Sequence, residues 1–423
     1  MLNELGRDWK YHFLRNNYIY NFAFFALIVS VGSAASVLYS CIAIWAIISI
    51  GLYRYELVAD RRAVLFALLL CAYYASGVLN AVVHWGDQKS LFLLFERLPF
   101  LGFLPVFSRM VLSRPASVLQ GVEVGALAGV IGGALISGFQ YFSGEPRPEA
   151  FSGNSNVFAI GAGFAFVICL VAAWRRDGRS QHYFWAGLFC ALLCMLFAGS
   201  RSVLFASAIS TVVILLYFAR TSSNKRSGLT IVTSLMAIAL ALGALLDLPG
   251  VTRFSLFQHL TTTTTPFSED EFFGVRLEVW SCGYQIARDN VLLGAGWSSA
   301  IEQSLACLNA GFGTALGFSH FHNFIIDSLA KGGLPEMIVT TLMLLVPLMG
   351  LRKDRRDIAS GADLTTPRLA AKAIIAGAMI MFGVNGLFNV FLGHDVLDAA
   401  YLNLLICMMA VLYRTDPSRS GES

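Results

Sequence analysis

Residues 157–174 read VFAIGAGFAFVICLVAAW, a run of eighteen residues without a charged side chain. An α-helix needs roughly 20 predominantly apolar residues to cross the ~30 Å hydrocarbon core of a bilayer. This run comes close to that length, and similar apolar runs recur along the chain. The stretch therefore predicts a membrane-spanning helix, and its recurrence sets the class of the protein.

The composition of the whole chain agrees with this class. Of 423 residues, 57% are hydrophobic and 13% are charged, and the mean hydropathy is +0.66. A soluble globular domain carries about 25% charged residues. A transmembrane β-barrel would show short segments of alternating polarity, whereas the apolar runs here are continuous. We therefore predict an all-α polytopic membrane protein.

Successive apolar runs predict about twelve transmembrane helices and one large loop. No small-residue cleavage site follows the first run, so we expect that run to be retained. Residues 1–246 are predicted to hold helices 1–9, residues 247–318 the large loop with short helices, and residues 319–423 helices 10–12. The predicted spans are two within 18–53, then 63–85, 91–110, 118–142, 157–174, 183–198, 203–218, 229–246, 334–351, 369–391 and 396–413.

Arginine and lysine are concentrated at every second connection between these spans. Because such residues remain on the cytoplasmic side, both termini are predicted to be cytoplasmic. The connections around 86–90, 143–156, 199–201 and 247–318 then face the opposite side. These inner loops account for the net charge of +4, which gives no indication of nucleic-acid binding.

Two of the eight cysteines, Cys282 and Cys307, lie in the predicted outer region. They would be able to pair in an oxidising compartment. Sequence spacing does not fix their distance, so the pairing stays open at this point. The other six lie in predicted spans, where cysteine usually serves as a small apolar residue.

The segment SHFHNFIID, residues 319–327, lies where the large polar region meets a predicted span. Ionisable groups at such a boundary are costly and usually functional. Helical periodicity would place His320 and His322 on different sides of a helix, one of them inward. A metal site is disfavoured because no third ligand has suitable spacing and Asp327 lies more than a turn away. A neutral imidazole suits general-base work near neutral pH.

Two arginines break the positive-inside pattern. Arg201 opens the eighth predicted span, and Arg276 lies in a predicted helix around 275–289 with Trp280 one turn later on the same face. Each of them alone would be able to snorkel to lipid phosphates. Together, beside the histidine segment, they favour binding of a diphosphate, because guanidinium groups match phosphate oxygens in a bidentate way.

Two further arginines are weaker candidates. Arg97 would either join the same pocket or form an internal structural pair with Glu96. Arg147 lies in the predicted outer loop 143–156.

Several of these elements together resemble the O-antigen ligase and O-antigen polymerase superfamily. They are SHFHN at 319–323, LAKGGL at 329–334, GAG at 294–296, and the Arg276–Trp280 pair. The resemblance implies a fold similar to GT-C-type glycosyltransferases. It also implies that His322, the histidine before Asn323, is essential, and that Arg201 and Arg276 are the essential arginines. Lys331 departs from the acid common in relatives, and no role is assigned to it; whether His320 assists His322 or only packs is left open.

The resemblance further implies substrates and a location. The donor would be O-antigen linked to undecaprenyl diphosphate, the acceptor lipid A-core, and the site would face the periplasm from the bacterial inner membrane. His322 would take the proton of the acceptor hydroxyl, with inversion at the anomeric carbon. We expect no cofactor and no metal, because the first outer turn, 32–35, lacks the acids that hold a cation in metal-dependent relatives.

Other functions remain open from the sequence. An O-antigen polymerase would use the same donor, and a protein O-glycosylating relative usually has an additional C-terminal region. A small-solute or bicarbonate transporter is the alternative from a different class. Transporters typically show repeated halves and ionisable residues near the midplane. No convincing repeat is found, and Asp398 and the Glu96–Arg97 pair are the only plausible midplane charges.

Overall fold

The computed structural model describes residues 17–53, 57–58, 60–219, 233, 271–312, 319–349, 351, 366–389 and 391–415. Within these ranges the regular secondary structure is entirely helical. The predicted ninth span, 229–246, lies outside the described residues except for residue 233, and all of 247–270 and the basic segments 220–226 and 352–356 lie outside them.

Fourteen helices are found in the described ranges. They are α1 (Tyr18–Ser30), α2 (Gly32–Tyr53), α3 (Arg61–Val83), α4 (Gln88–Leu101), α5 (Phe103–Val111), α6 (Pro115–Phe142), α7 (Ser155–Arg175), α8 (Arg179–Ala198), α9 (Arg201–Ala219), α10 (Glu271–Asp289), α11 (Trp297–Phe312), α12 (Phe324–Met349), α13 (Pro367–Gly386) and α14 (Asp395–Arg414).

The helices reproduce most of the predicted spans. In the described part of the chain nine segments are long and apolar enough to cross a membrane, with α4 and α5 forming one of them, and α1 and α9 are shorter apolar helices. The fold is therefore that of a polytopic helical membrane protein. The total of twelve spans stays a prediction, because the ninth lies outside the described residues.

Three predicted boundaries are wrong. The tenth span begins at Phe324 and not at 334, and the eleventh ends at Gly386 and not at 391. The fourth is divided at Gly102, three residues after Pro99. Pro105 has no amide hydrogen to donate to the carbonyl of Leu101 four residues earlier, which explains the division.

The uncharged helix α7 lies at the centre of the bundle. Of the residues in its apolar membrane-spanning stretch, 94% are buried inside the protein, whereas in α2 the share is 28%. A helix that is apolar on all faces must pack against neighbours on all faces or against lipid. Helices α6, α8, α9 and α13 surround α7, so the run that identifies the class also forms the core.

Helices α1 and α6 approach each other closely along three glycines. Gly121, Gly125 and Gly129 repeat every fourth residue and so share one face of α6. A Cβ atom at Gly125 would lie 2.5 Å from the carbonyl oxygen of Phe22. Small residues at this spacing let transmembrane helix backbones come into direct contact.

Helix α12 is interrupted at Gly333, whose φ of 71° is left-handed. The loop between α10 and α11 forms backbone hydrogen bonds with the residues beside this interruption. The backbone amides of Ala295 and Gly296 donate to the carbonyls of Ala330 and Lys331 at 2.8 and 3.1 Å. A Cβ at Gly294 would lie 2.3 Å from the Lys331 carbonyl oxygen, so this approach requires glycine. The glycines of both segments thus join the outer region to the bundle.

Connections predicted to share the outer side lie together. The Asp87 carboxylate, before α4, accepts hydrogen bonds from the backbone amide and hydroxyl of Ser298 at 2.9 and 2.6 Å. The Ser202 hydroxyl, in the first turn of α9, donates to Asn385 near the end of α13 at 3.0 Å. These bonds fix the ends of α4, α9, α11 and α13 at one end of the bundle.

Replacing Gly125 with alanine is expected to destabilise the bundle. The added methyl group would meet a backbone oxygen that cannot rotate away, and overpacking of this kind costs about 1–3 kcal/mol. The measurement is the unfolding temperature of the purified protein in detergent. Gly132→Ala is the matched control, because the nearest atom to a Cβ there is 3.8 Å away. Equal unfolding temperatures for the two variants would show that the glycine contact is not tight.

Candidate active site

The histidine segment is a bend and not a helix. Residues 319–323 precede α12, and Asn323 caps that helix by accepting hydrogen bonds from the amides of Ile325 and Ile326 at 3.0 and 3.2 Å. A side chain that accepts these amide hydrogens is a preferred way to begin a helix. The Asn323 amide group also donates to the Leu387 carbonyl at 3.3 Å, so Asn323 holds the bend against the end of α13.

The expectation that His320 and His322 lie on different sides of a helix is wrong. His322 has a φ of 51°, in the left-handed region that non-glycine residues rarely adopt. This turn brings the two rings together edge to face, with centroids 4.2 Å apart. The two side chains would lie on different sides only if the backbone were helical, whereas the chain turns here. Strained backbone of this kind is often found at functional sites.

A buried ion pair holds the bend in place. The Asp327 carboxylate accepts a hydrogen bond from the Phe321 amide at 2.9 Å and pairs with the Lys331 ammonium at 2.8 Å. The ammonium also donates to the Ser319 carbonyl at 3.0 Å and lies 4.4 Å from the ring centre of Trp297. Asp327 and Lys331 were not predicted to have roles, although their i,i+4 spacing is a recognised signal for an ion pair on a helix.

Trp280 contacts the bend directly from α10. Its indole Nε1 donates to the His322 carbonyl oxygen at 3.3 Å. Arg276 lies one turn earlier on the same helix, as the sequence predicted. The indole therefore fixes the position of the His322 backbone relative to the helix that carries Arg276.

Electrostatics links Arg276 to both other predicted site residues. Burial lowers the pKa of Arg276 to about 10, and the positive charge of Arg201 contributes to that decrease. Burial lowers the pKa of His322 to about 3, with further contributions from His320 and Arg276. Arg276 thus lies within electrostatic reach of both His322 and Arg201, and His322 is neutral at neutral pH.

Arg97 lies in a structural ion pair. It is fully buried and contacts the Glu336 carboxylate of α12 at 2.6 Å, and its guanidinium stacks 4.1 Å from the ring centre of Tyr73. Of the two alternatives open from the sequence, the structure favours the internal pair, but with Glu336 as the partner. The predicted partner Glu96 is on the exposed side of α4, because adjacent residues on a helix point about 100° apart.

Arg147 lies in the loop between α6 and α7. Its guanidinium donates to the Asn156 amide oxygen at 3.3 Å. Asn156 lines a cavity of about 270 Å³ that His320 also lines. Arg147 therefore supports the wall of that cavity.

A disulfide bond joins Cys282 of α10 to Cys307 of α11. The pairing left open by the sequence is thus present in the structure. It lies two residues after Trp280, so it fixes the helix that carries Arg276 and Trp280 to its neighbour. In the part of the chain that the structure describes, no group of three or more histidine, cysteine or acidic residues has metal-binding geometry; metal independence stays a prediction.

The fold and this site define a class: a polytopic helical membrane protein in which a bend with two histidines contacts the helix that carries Arg276 and Trp280. Comparison with known families gives the closer assignment. Residues 186–341 match the family model described as O-antigen ligase. This segment runs from α8 to α12 and includes Arg201, Arg276, Trp280 and both histidines, so the superfamily predicted from the sequence is confirmed over it. Comparison with curated proteins gave no match.

The family match supports an enzyme of the O-antigen ligase and polymerase type, with a lipid-linked polysaccharide as its class of substrate.

Removing the partner of Arg97 is expected to be strongly destabilising. Glu336→Ala would leave a buried guanidinium without its counter-charge, which typically costs about 3–5 kcal/mol. Thermal unfolding in detergent would measure the loss. The double variant Arg97→Met/Glu336→Met is the control, since removing both charges should recover most of the stability. A single variant as stable as the wild type would contradict the structural role of the pair.

Proposed function

We propose that the protein is an O-antigen ligase that transfers a glycan from undecaprenyl diphosphate to a sugar hydroxyl of lipid A-core. The proposal is supported by the electrostatic coupling of Arg276 to both neutral His322 and Arg201, all three within the segment that matches the O-antigen ligase family. The two arginines bind the donor diphosphate, and the histidine accepts the proton of the acceptor hydroxyl.

The reaction is a single displacement at the anomeric carbon. The acceptor oxygen forms a bond to that carbon as the bond to the diphosphate oxygen breaks, and inversion follows. The acceptor proton passes to His322. Its Nδ1 atom is buried and, within the described residues, has no hydrogen-bond partner, which supports its assignment as the proton acceptor.

Arg201 and Arg276 act on the leaving group. Negative charge grows on the diphosphate as its bond to the sugar breaks, and fixed cations near that charge lower the barrier. Arg201 and Arg276 lie close enough to interact electrostatically, as two cations that bind the same diphosphate must. The diphosphate linkage already supplies the driving force, so no cofactor is required.

The proposed location is the bacterial inner membrane, with the site facing the periplasm. The positive-inside pattern supports this orientation, and the outer connections that the pattern defines are those that meet at the site. The donor lipid would enter from the outer leaflet. No metal is expected.

An O-antigen polymerase is the alternative within the same superfamily, since it would use the same donor and the same three side chains. The acceptor distinguishes the two: a ligase uses lipid A-core, whereas a polymerase extends a lipid-linked repeat unit. The Arg97–Glu336 pair disfavours a transporter. Each of these two buried charges is neutralised by the other, so neither is available to bind a transported solute.

Transfer in a purified system tests the function and the three residues together. Wild-type protein is expected to use lipid-linked glycan with lipid A-core and not with a second lipid-linked repeat. His322→Ala should lower kcat by about 10²- to 10⁴-fold, the usual contribution of a general base. Arg201→Lys and Arg276→Lys should also be impaired, because lysine lacks the bidentate geometry of the guanidinium.

The control for this experiment is His182→Ala, which removes an exposed histidine of α8 outside the site. It should transfer at the wild-type rate. Retained transfer by His322→Ala would exclude His322 as the base, and extension of lipid-linked repeats in place of lipid A-core would identify a polymerase.

The pH dependence of transfer should show no acidic limb at the ordinary histidine pKa of 6.5. Because the folded-state pKa of His322 lies near 3, the free enzyme keeps the neutral base as pH falls through 6.5. The same decrease means that His322 favours the folded state above pH 6.5, and that this contribution is lost as pH falls towards 3. The measurement is kcat/KM between about pH 5 and 8. A decrease in kcat/KM with an apparent pKa near 6.5 would contradict the burial of a neutral His322.

A further inference from the structure

A cavity of about 270 Å³ opens beside His320. Its walls come from α4, the start of α7, the bend that carries the histidines, and the connection between α13 and α14. The polar residues on these walls include Lys89, Glu96, Asn156, His320, Asn389 and His394.

The cavity and the arginine side of the site are separate. His322, Arg201 and Arg276 are not among the described residues that line the cavity, whereas His320 is. The rings of His320 and His322 touch, with centroids 4.2 Å apart. His320 therefore connects this cavity to His322, which lies within electrostatic reach of Arg276.

The walls of the cavity carry groups that are available to a ligand. Lys89, Leu93 and Glu96 lie on one face of α4, at spacings of four and three residues. Within the described ranges, neither the Glu96 carboxylate nor the Lys89 ammonium forms a hydrogen bond or an ion pair. By contrast, the other two charged residues of the cavity, Asp327 and Lys331, pair with each other.

This mixture of groups matches the chemistry of a sugar. Each sugar hydroxyl both donates and accepts hydrogen bonds, and a carboxylate, an ammonium and amide side chains together satisfy both needs. Leu93, Val157 and Trp297 add apolar surface for the carbon faces of the ring. Small-molecule sites commonly combine an apolar lining with a few convergent polar groups. A diphosphate would instead require a surplus of positive charge, which the cavity lacks.

We propose that this cavity binds the acceptor saccharide, with Glu96 and Lys89 holding the sugar whose hydroxyl reaches the histidine pair. The inference rests on the proposed function, and it adds the acceptor site to it. The acceptor then reaches the histidine pair from the cavity that His320 lines. Glu96 is a binding residue in this arrangement and takes no part in proton transfer.

Glu96→Gln tests the proposal, since it keeps the size of the side chain and removes the charged acceptor of hydrogen bonds. The KM for lipid A-core is expected to rise roughly tenfold, the effect of losing one hydrogen bond to a charged group. The KM for the lipid-linked donor should stay within about twofold of the wild-type value, the effect expected when no contact is lost. Glu302→Gln is the matched control, because Glu302 is an exposed acid of α11 outside the cavity, and it should leave both constants unchanged.

Direct binding separates this proposal from the proposed function. Core oligosaccharide released from lipopolysaccharide is titrated into the wild-type protein and into Glu96→Gln by calorimetry, with no donor present. Weaker binding to Glu96→Gln supports the acceptor site even if the wild type transfers no glycan, in which case the proposed function alone fails. Equal binding to both proteins, or a rise in the donor KM as large as that for the acceptor, would overturn the assignment of the cavity.

Discussion

The buried pair of Asp327 and Lys331 is the interaction on which the candidate site depends. Removing two charges from water is costly, and the pair is stable only because further hydrogen bonds satisfy both groups. Here those bonds come from the amide of Phe321 and the carbonyl of Ser319, so the chain must turn back over its own helix. That return places His320 and His322 side by side. The ion pair thus holds the backbone in a turn that brings the imidazole rings of His320 and His322 into contact.

The interruption of α12 gives this bend a fixed position in the molecule. Carbonyls released at the interruption accept hydrogen bonds from Ala295 and Gly296, and the Asn80 side chain of α3 donates to the Lys331 carbonyl at 2.8 Å. Three separate parts of the chain therefore meet at one turn of helix. Because each bond is made by the backbone of α12, the site is attached to the scaffold independently of the side chains that do the chemistry.

Much of the architecture follows from the sequence alone. Length and hydropathy locate the spans, because a bilayer of fixed thickness demands long uncharged helices. The spacing of Arg276 and Trp280 predicts a shared helical face, and the structure has that helix. The conformation at His322 was not predictable, since a left-handed residue in a non-glycine position is determined by tertiary contacts and not by local preference.

The partner of Arg97 and the pairing of Cys282 with Cys307 were beyond sequence reasoning for the same reason: both join residues from different helices, and only packing decides which side chains meet. The cavity beside His320 is the clearest case. Its walls come from five helices, α4, α7, α11, α12 and α14, and from the connections beside them, and no single stretch of sequence carries its pattern.

The covalent bond between Cys282 and Cys307 has a practical consequence for the study of this protein. It closes a loop of 25 residues, a length for which chain-entropy arguments give a stabilisation of about 3–4 kcal/mol. Protein prepared with dithiothreitol or produced in a reducing cell-free mixture would lack this disulfide bond. Helices α10 and α11 would then be held by hydrogen bonds and packing alone, and assays on such a preparation would report on a looser molecule than the one described above.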